Sequence, residues 1–218
     1  MENKTETKKK PKKRWFPPVE KFLTKKEVDL ILNATKDQSF VDVARGRKIW
    51  RKRLMLIELV FSTGLRVSEI CNLKIQHLHL GHGGASIFVA HGKGDKSREV
   101  IINKELKQNL TEFVKTKKFV LGEGIEPEDF LFCSAKGEKL STRALQKGFK
   151  ACLANAGLSP FLSIHIARHS FASNLYKATH DLRLVQQQLG HSSIHITELY
   201  SHLSKEQIQE GMEQLYQE

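Results

Sequence analysis

Apolar residues recur at helical spacing along much of this chain, and a change of pattern at Ser86 divides it into segments. Thr24-Lys25-Lys26-Glu27 has capping-box spacing, in which the threonine hydroxyl and the Glu27 carboxylate satisfy each other's backbone N–H, and predicts a helix to about Ala34. From Arg47 to Thr63, the residues Ile49, Leu54, Leu56, Ile57, Val60 and Phe61 make a broad stripe at helical spacing, with Gly64 placed to cap it. A short helix over Val67–Leu73 follows. The pattern then changes, and Ser86–Ala90 and Arg98–Ile102 are short runs rich in β-forming residues. Between these runs, His91 to Ser97 holds two glycines and an aspartate and predicts a hairpin turn.

Helical spacing returns with Asn103 as the cap of a helix to about Lys117, followed by a loop over 122–129 and an extended run Phe130–Cys133. Further helices are expected over Ser141–Asn155, Ser163–Thr179, Asp181–Leu189 and Ser193 to about Tyr200, with Gly157 and Gly190 as stops. A last one begins at Ser204, with Ile208, Met212 and Leu215 on one side. Residues 1–20, ending in Trp15-Phe16-Pro17-Pro18, read as an unstructured basic arm, since the two prolines oppose regular structure. No internal repeat is visible. The fold class is α+β and mainly α-helical, with a small antiparallel sheet built on one hairpin.

Composition narrows the class. The chain has 218 residues, 39% hydrophobic and 28% charged, which suits a globular body with a buried core. No segment approaches the roughly 20 uncharged apolar residues of a membrane span, and Met1 to Arg14 is too polar for a secretory leader. No membrane association and a cytoplasmic location are expected. The three cysteines Cys71, Cys133 and Cys152 are far apart, with no C-x-x-C pair, and read as small core hydrophobes. Formal charge is +12, and residues 1–14 carry seven basic against two acidic side chains. The remainder is also basic, so a polyanion is the expected partner, nucleic acid above all.

Several residues could carry chemistry. His165 and Arg168 stand three apart in one helix and share a face, joining a titratable ring to a planar cation matched to phosphate oxygens. His191 follows Gly190 at a tight helix–helix junction that could hold an anion beside a proton donor. Arg66 lies just past a helix cap, and Lys93 lies at the hairpin tip between two glycines. Tyr200 is a nucleophile only where cations stabilise its phenolate, since a free phenol titrates near pH ~10. Taken singly, each has an ordinary structural reading: a surface pair, a solvated lysine, an amphipathic tyrosine. The glycine-rich hairpin lacks P-loop spacing, and His77, His79 and His82 lack zinc-like spacing.

Together these segments resemble the catalytic domain of the tyrosine recombinase, or phage integrase, family. The resemblance rests on Thr63-Gly64-Leu65-Arg66-Val67-Ser68-Glu69, Gly92-Lys93-Gly94, His165-x-x-Arg168, Leu189-Gly190-His191-Ser192-Ser193 and Tyr200-Ser201-His202, in that order, from about Leu23 to the C-terminus. One departure is Ala167, where family members often carry leucine. The resemblance implies the tyrosine recombinase fold over 21–203. It implies Tyr200 as nucleophile on a DNA phosphate, Arg66 and Arg168 on its oxygens, and His165 and His191 as proton-handling groups. Lys93 would be the general acid and Glu69 a support for the arginines.

Neither metal nor ATP is implied. The implied partners are double-stranded DNA, a homotetramer on two recombination sites and a possible accessory directionality protein, in association with the nucleoid. Only about 20 residues precede the body, a short form similar to the fimbrial-switch recombinases. On that footing Lys8, Lys9, Lys10, Lys12, Lys13 and Arg14 of the arm, with Lys96 of the hairpin, are expected on DNA. Residues 204–218 are expected to form a helix packed either on a neighbouring subunit or on its own domain. A type IB topoisomerase and a non-catalytic DNA-binding regulator are the rival readings.

Overall fold

The computed structural model describes residues 22–81, 83–90, 97–121 and 125–190, with the side chains of 118–121 excepted. Helix α1 spans Lys25–Ala44, and its capping box is formed: Thr24 Oγ1 accepts from Glu27 N at 3.3 Å, and the Glu27 carboxylate accepts from Thr24 N at 2.7 Å. The helix runs ten residues past the expected end at Ala34. Its buried stripe continues through Thr35, Ser39 and Asp42, small or polar residues that a hydrophobic reading passes over. Asp42 then folds the chain back, with Oδ2 accepting from Trp50 N at 3.0 Å and Oδ1 paired with Arg47 Nε at 2.9 Å.

Helix α2, Ile49–Thr63, is the central rod and packs against α1 and three later helices. Met55, Leu56, Ile57, Leu59 and Val60 are almost wholly enclosed, each contributing about 1.5–3 kcal/mol by burial. Gly64 ends it at φ 62°, as expected. Helix α3 covers Val67–Cys71 and stops two residues short of the expected Leu73, which leaves the helix yet stays buried in the core.

A 3₁₀ turn over Ile75–His77 leads into strand β1, Leu78–His79, too short to show a period in the sequence. It extends the expected hairpin of β2, Ala85–Val89, and β3, Arg98–Ile102, to three antiparallel strands in the order β1-β2-β3. Ile87 pairs with Val100 and Val89 with Arg98. Helix α4, Lys104–Leu121, is capped by Asn103 Oδ1, which accepts from Leu106 N at 2.8 Å. The run Phe130–Cys133 makes only two single bridges, to Lys74 and Lys139.

Helices α5, Thr142–Asn155, and α6, His165–Thr179, cover α2, and α7, Leu182–Leu189, lies against α6 and β3. Asp181 caps α7 through Arg183 N and Leu184 N. Val185 and Leu189 of α7 make a small satellite core with Ala172 of α6. All three cysteines are buried, and burial pushes the Cys152 thiol up to about 11, in keeping with an apolar role. The two helices expected beyond Gly190 and the tip of the hairpin lie outside the described residues. Among the described residues, no helix is long and apolar enough to cross a membrane.

Candidate active site

Four segments meet at one place: the α2–α3 turn, the start of β3, the first turn of α6 and the end of α7. The left-handed Gly64 turns the chain so that Arg66 becomes the extended residue before α3, at φ −69° and ψ 148°. Glu69, one turn into α3, reaches back to it. Its Oε2 accepts from Arg66 N and its Oε1 from Arg66 Nη1, both at 2.8 Å. Glu69 is 5% exposed. Burial pushes its carboxyl up, but the hydrogen bond from Arg98 and those from Arg66 outweigh it and hold the group below the ordinary carboxylate value. Glu69 is therefore an anion at neutral pH.

Arg98 is the residue that sequence reasoning missed. Its Nη1 and Nη2 donate to Glu69 Oε1 and Oε2 at 2.9 and 3.0 Å, a two-pronged grip. Its Nε donates to Gln188 O of α7 at 3.2 Å. The missed signal was the alternation of β3: Arg98 shares a face with the buried Val100 and Ile102, and a cation on that face needs an anion. Gly190 leaves the space, since a Cβ there would lie 2.6 Å from Arg98 Cδ.

Arg168 comes from α6 and is 8% exposed. Its Nη1 donates to Gly64 O at 2.6 Å and its Nη2 to Leu189 O at 2.7 Å. Burial, then the neighbouring Arg66 charge, pulls its pKa down to about 9, with Glu69 opposing and Arg98 adding to the fall. It remains charged at neutral pH. His165, the first residue of α6, is exposed although Ile164 and Ile166 on either side of it are buried. The expected pair is thus split, with the guanidinium inside and the imidazole at the rim. His169 is half-buried, its pKa lowered by burial and by the charge of Arg168, and its ring lies 5.9 Å from that of Phe22.

Two guanidiniums, Arg66 and Arg98, thus bond to Glu69, and the charge of a third, Arg168, lies close enough to act on the same group, an excess of positive charge at a largely enclosed place. Planar donors in such an arrangement suit a tetrahedral oxyanion such as a phosphate. Of the expected site residues, the structure brings together Arg66, Glu69 and Arg168, with His165 at the edge. Lys93, Lys96, His191, Tyr200 and the basic residues from Lys8 to Arg14 lie outside the described residues. His77 and His79 pack on Phe88, with His77 Nδ1 accepting from Lys74 N and His79 paired to Glu99. A cleft of about 710 Å³ between α1, α2 and α4 shares no residue with the arginine cluster. A smaller one of about 460 Å³ includes Glu69 in its lining, with Lys74, Phe88 and Phe130.

Residues 21–207 match the model of the phage integrase family. Tyrosine recombinase XerD of Staphylococcus aureus is 36% identical over 193 residues, 88% of this chain and 64% of that protein. XerD of Oceanobacillus iheyensis is 33% identical over 180 residues, 83% of this chain and 60% of the relative. The chain thus spans less than two thirds of the length of these relatives. Among solved structures, XerA recombinase superposes with a TM-score of 0.69 at 27% identity, over 90% of this chain and 65% of that one. XerH site-specific recombinase, bound to its difH substrate in a pre-cleavage complex, gives 0.70 at 29% identity, over 88% of this chain and 53% of its own. With Arg66, Glu69 and Arg168 clustered inside a match that covers most of the sequence, the chain belongs to the phage integrase family.

Proposed function

We propose that this chain is a site-specific recombinase that cleaves and rejoins duplex DNA through a 3′-phosphotyrosine formed on Tyr200. The observation that carries the reading is the convergence of Arg66 and Arg98 on one carboxylate with Arg168 close by, a preformed electropositive seat for a phosphate. The family relatives, one of them solved on its DNA substrate, support it.

The roles are those that the family resemblance implies, and each suits the chemistry of its side chain. Tyr200 Oη attacks the scissile phosphorus and the bond to the 5′-oxygen breaks. The phenolic proton passes toward His165, and Lys93 protonates the departing 5′-oxygen. Arg66 and Arg168 hold the non-bridging oxygens as charge builds on them, and His191 donates to the same group. Losing one such preorganised donor costs on the order of 10²–10³ in rate. Attack by a 5′-hydroxyl from a second duplex reverses the step, so bond energy is conserved. A tetramer on two sites, a nucleoid location and an accessory directionality protein belong to the same proposal. So do DNA contacts from Lys8 to Arg14 and from Lys96.

The test is a nicked suicide duplex carrying the sequence that the protein selects from randomised DNA. A covalent protein–DNA complex that forms with the wild-type chain and disappears in Tyr200→Phe is expected. Its persistence in the variant would refute the nucleophile. Exchange between two such sites in EDTA is also expected, and plasmid relaxation without exchange would assign a topoisomerase instead.

A further inference from the structure

Arg98 sits outside the set of residues that the proposed cleavage uses, yet it bonds to two of the segments that build the site. One guanidinium spans two segments that carry different site residues. Through Nη1 and Nη2 it holds both oxygens of Glu69, whose Oε1 and Oε2 also accept from the Arg66 side chain and backbone. Through Nε it holds Gln188 O, next to Leu189 O, which accepts from Arg168. The strand is tied to the same residue a second time, since Ile101 N donates to Gln188 Oε1 at 3.1 Å. The contacts close into a ring, from Gly64 O through Arg168, the end of α7, Arg98 and Glu69 back to Arg66. Arg98 is the member of that ring contributed by the sheet.

We infer that Arg98 is a positioning residue that fixes the Arg66 guanidinium and the end of α7 in one geometry, so that the Arg66 and Arg168 donors meet the same phosphate. The inference rests on the reading of the cluster as the phosphate seat. The physical reason is the shared acceptor. Glu69 Oε1 takes a donor from Arg66 and another from Arg98, so the carboxylate plane is set by the fork of Arg98 and the Arg66 side chain follows it. Lysine cannot replace the fork, because a single ammonium cannot span both carboxylate oxygens and a backbone carbonyl in that geometry. A donor displaced by about 1 Å can cost on the order of 10² in rate.

The experiment compares the full-length wild-type chain with Arg98→Lys, Arg98→Ala, Glu69→Gln and the Arg98→Lys/Glu69→Gln pair. Single-turnover cleavage of the nicked duplex at saturating DNA should fall about 10²-fold in Arg98→Lys, while DNA affinity changes by no more than about threefold. The acid limb of the cleavage rate should also move to higher pH in Arg98→Ala. Glu69 would then be faced by Arg66 from the start of α3 and Arg168 from α6, but would be without its partner from β3. In the double variant the loss should not exceed that of Glu69→Gln alone, because both changes break one linkage.

Cleavage by Arg98→Lys at the wild-type rate, a loss confined to affinity, or additive losses in the pair would each overturn the inference. If the wild-type chain forms no covalent complex, the recombinase reading falls separately. Arg98 is then decided by the ¹⁵N resonance of Arg66 Nε, which should shift in Arg98→Lys and would stay in place if Arg98 did not position it. Melting temperatures confirm that each variant is folded, and Arg98→Lys with Glu69→Gln carries the test if Arg98→Ala is not.

Discussion

Gly64→Ala puts the geometry of the site to a quantitative test. The residue sits at φ 62°, and a Cβ built on it would lie 2.5 Å from Phe171 Cδ1 and 2.7 Å from Leu189 Cδ2. Two costs add. The left-handed backbone costs an alanine about 1–2 kcal/mol. Forcing a methyl into space already filled by a ring and a leucine branch costs a further 1–3 kcal/mol or so. The total is roughly 2–5 kcal/mol, a large part of the stability of a typical domain.

Gly157 supplies the control. Its φ is 71°, yet nothing lies within 4 Å of a Cβ there, so Gly157→Ala meets only the first cost. Urea denaturation of both variants should show Gly64→Ala destabilised by about 1–3 kcal/mol more than Gly157→Ala. The strain also has a functional direction. Phe171 and Leu189 belong to α6 and α7, and Gly64 O and Leu189 O are the acceptors of Arg168, so relief by moving these helices displaces its guanidinium. DNA cleavage should fall along with stability. Equal losses in the two variants, or a loss under about 1 kcal/mol at Gly64, would refute the packing around the turn.

Three further outcomes are expected. Burial first, then Glu105, raises the pKa of Glu58 to about 7 from 4.5, against the pull of Lys36 and the hydrogen bond from Asn109. The folded state therefore keeps a proton that the unfolded chain loses between these values, and stability falls as pH rises through that window. Glu58→Gln should be more stable than wild type by about 1 kcal/mol at pH ~8 and no different at pH ~4, read from urea midpoints, and a pH-independent difference would sink this account. Arg168→Lys should lower stability by about 1–3 kcal/mol, because a compact ammonium lacks the planar spread by which Nη1 and Nη2 reach Gly64 O and Leu189 O separately, and should slow cleavage by on the order of 10² or more. Deleting residues 1–14 should weaken DNA binding and flatten its salt dependence by up to about 0.9 in log–log slope for each phosphate that the arm had neutralised, and an unchanged slope would make the arm a bystander.

The elements legible from the sequence were those whose signals are local. Thr24 with Glu27, Ser141 and Asp181 announce helix starts, because a short side chain that caps N–H groups acts within three residues. Gly64 and Gly190 announce helix ends for an equally local reason. The errors came where a neighbour supplies the energy. The second half of α1 is helical because Thr35, Ser39 and Asp42 are covered by tertiary packing, and β1 exists only because β2 lies beside it.

The site divides along the same line. The motifs around Arg66 and Arg168 pointed to the family and marked two cations as candidates for a phosphate, since their spacing within a single helix or turn is a property of the chain. That Glu69 is shared by Arg66 and Arg98, that Arg168 closes onto Gly64 O and Leu189 O, and that His165 stays at the rim were decided by tertiary structure alone. Arg66 and Glu69 are three positions apart, but Arg98 is 29 positions from Glu69, and Arg168 is 104 from Gly64 and 21 from Leu189. No local pattern encodes such distances. Arg98 is the clearest case: the alternation of β3 puts it on the inward face, but only the packing of the strand gives it Glu69 of α3 and Gln188 of α7 as partners.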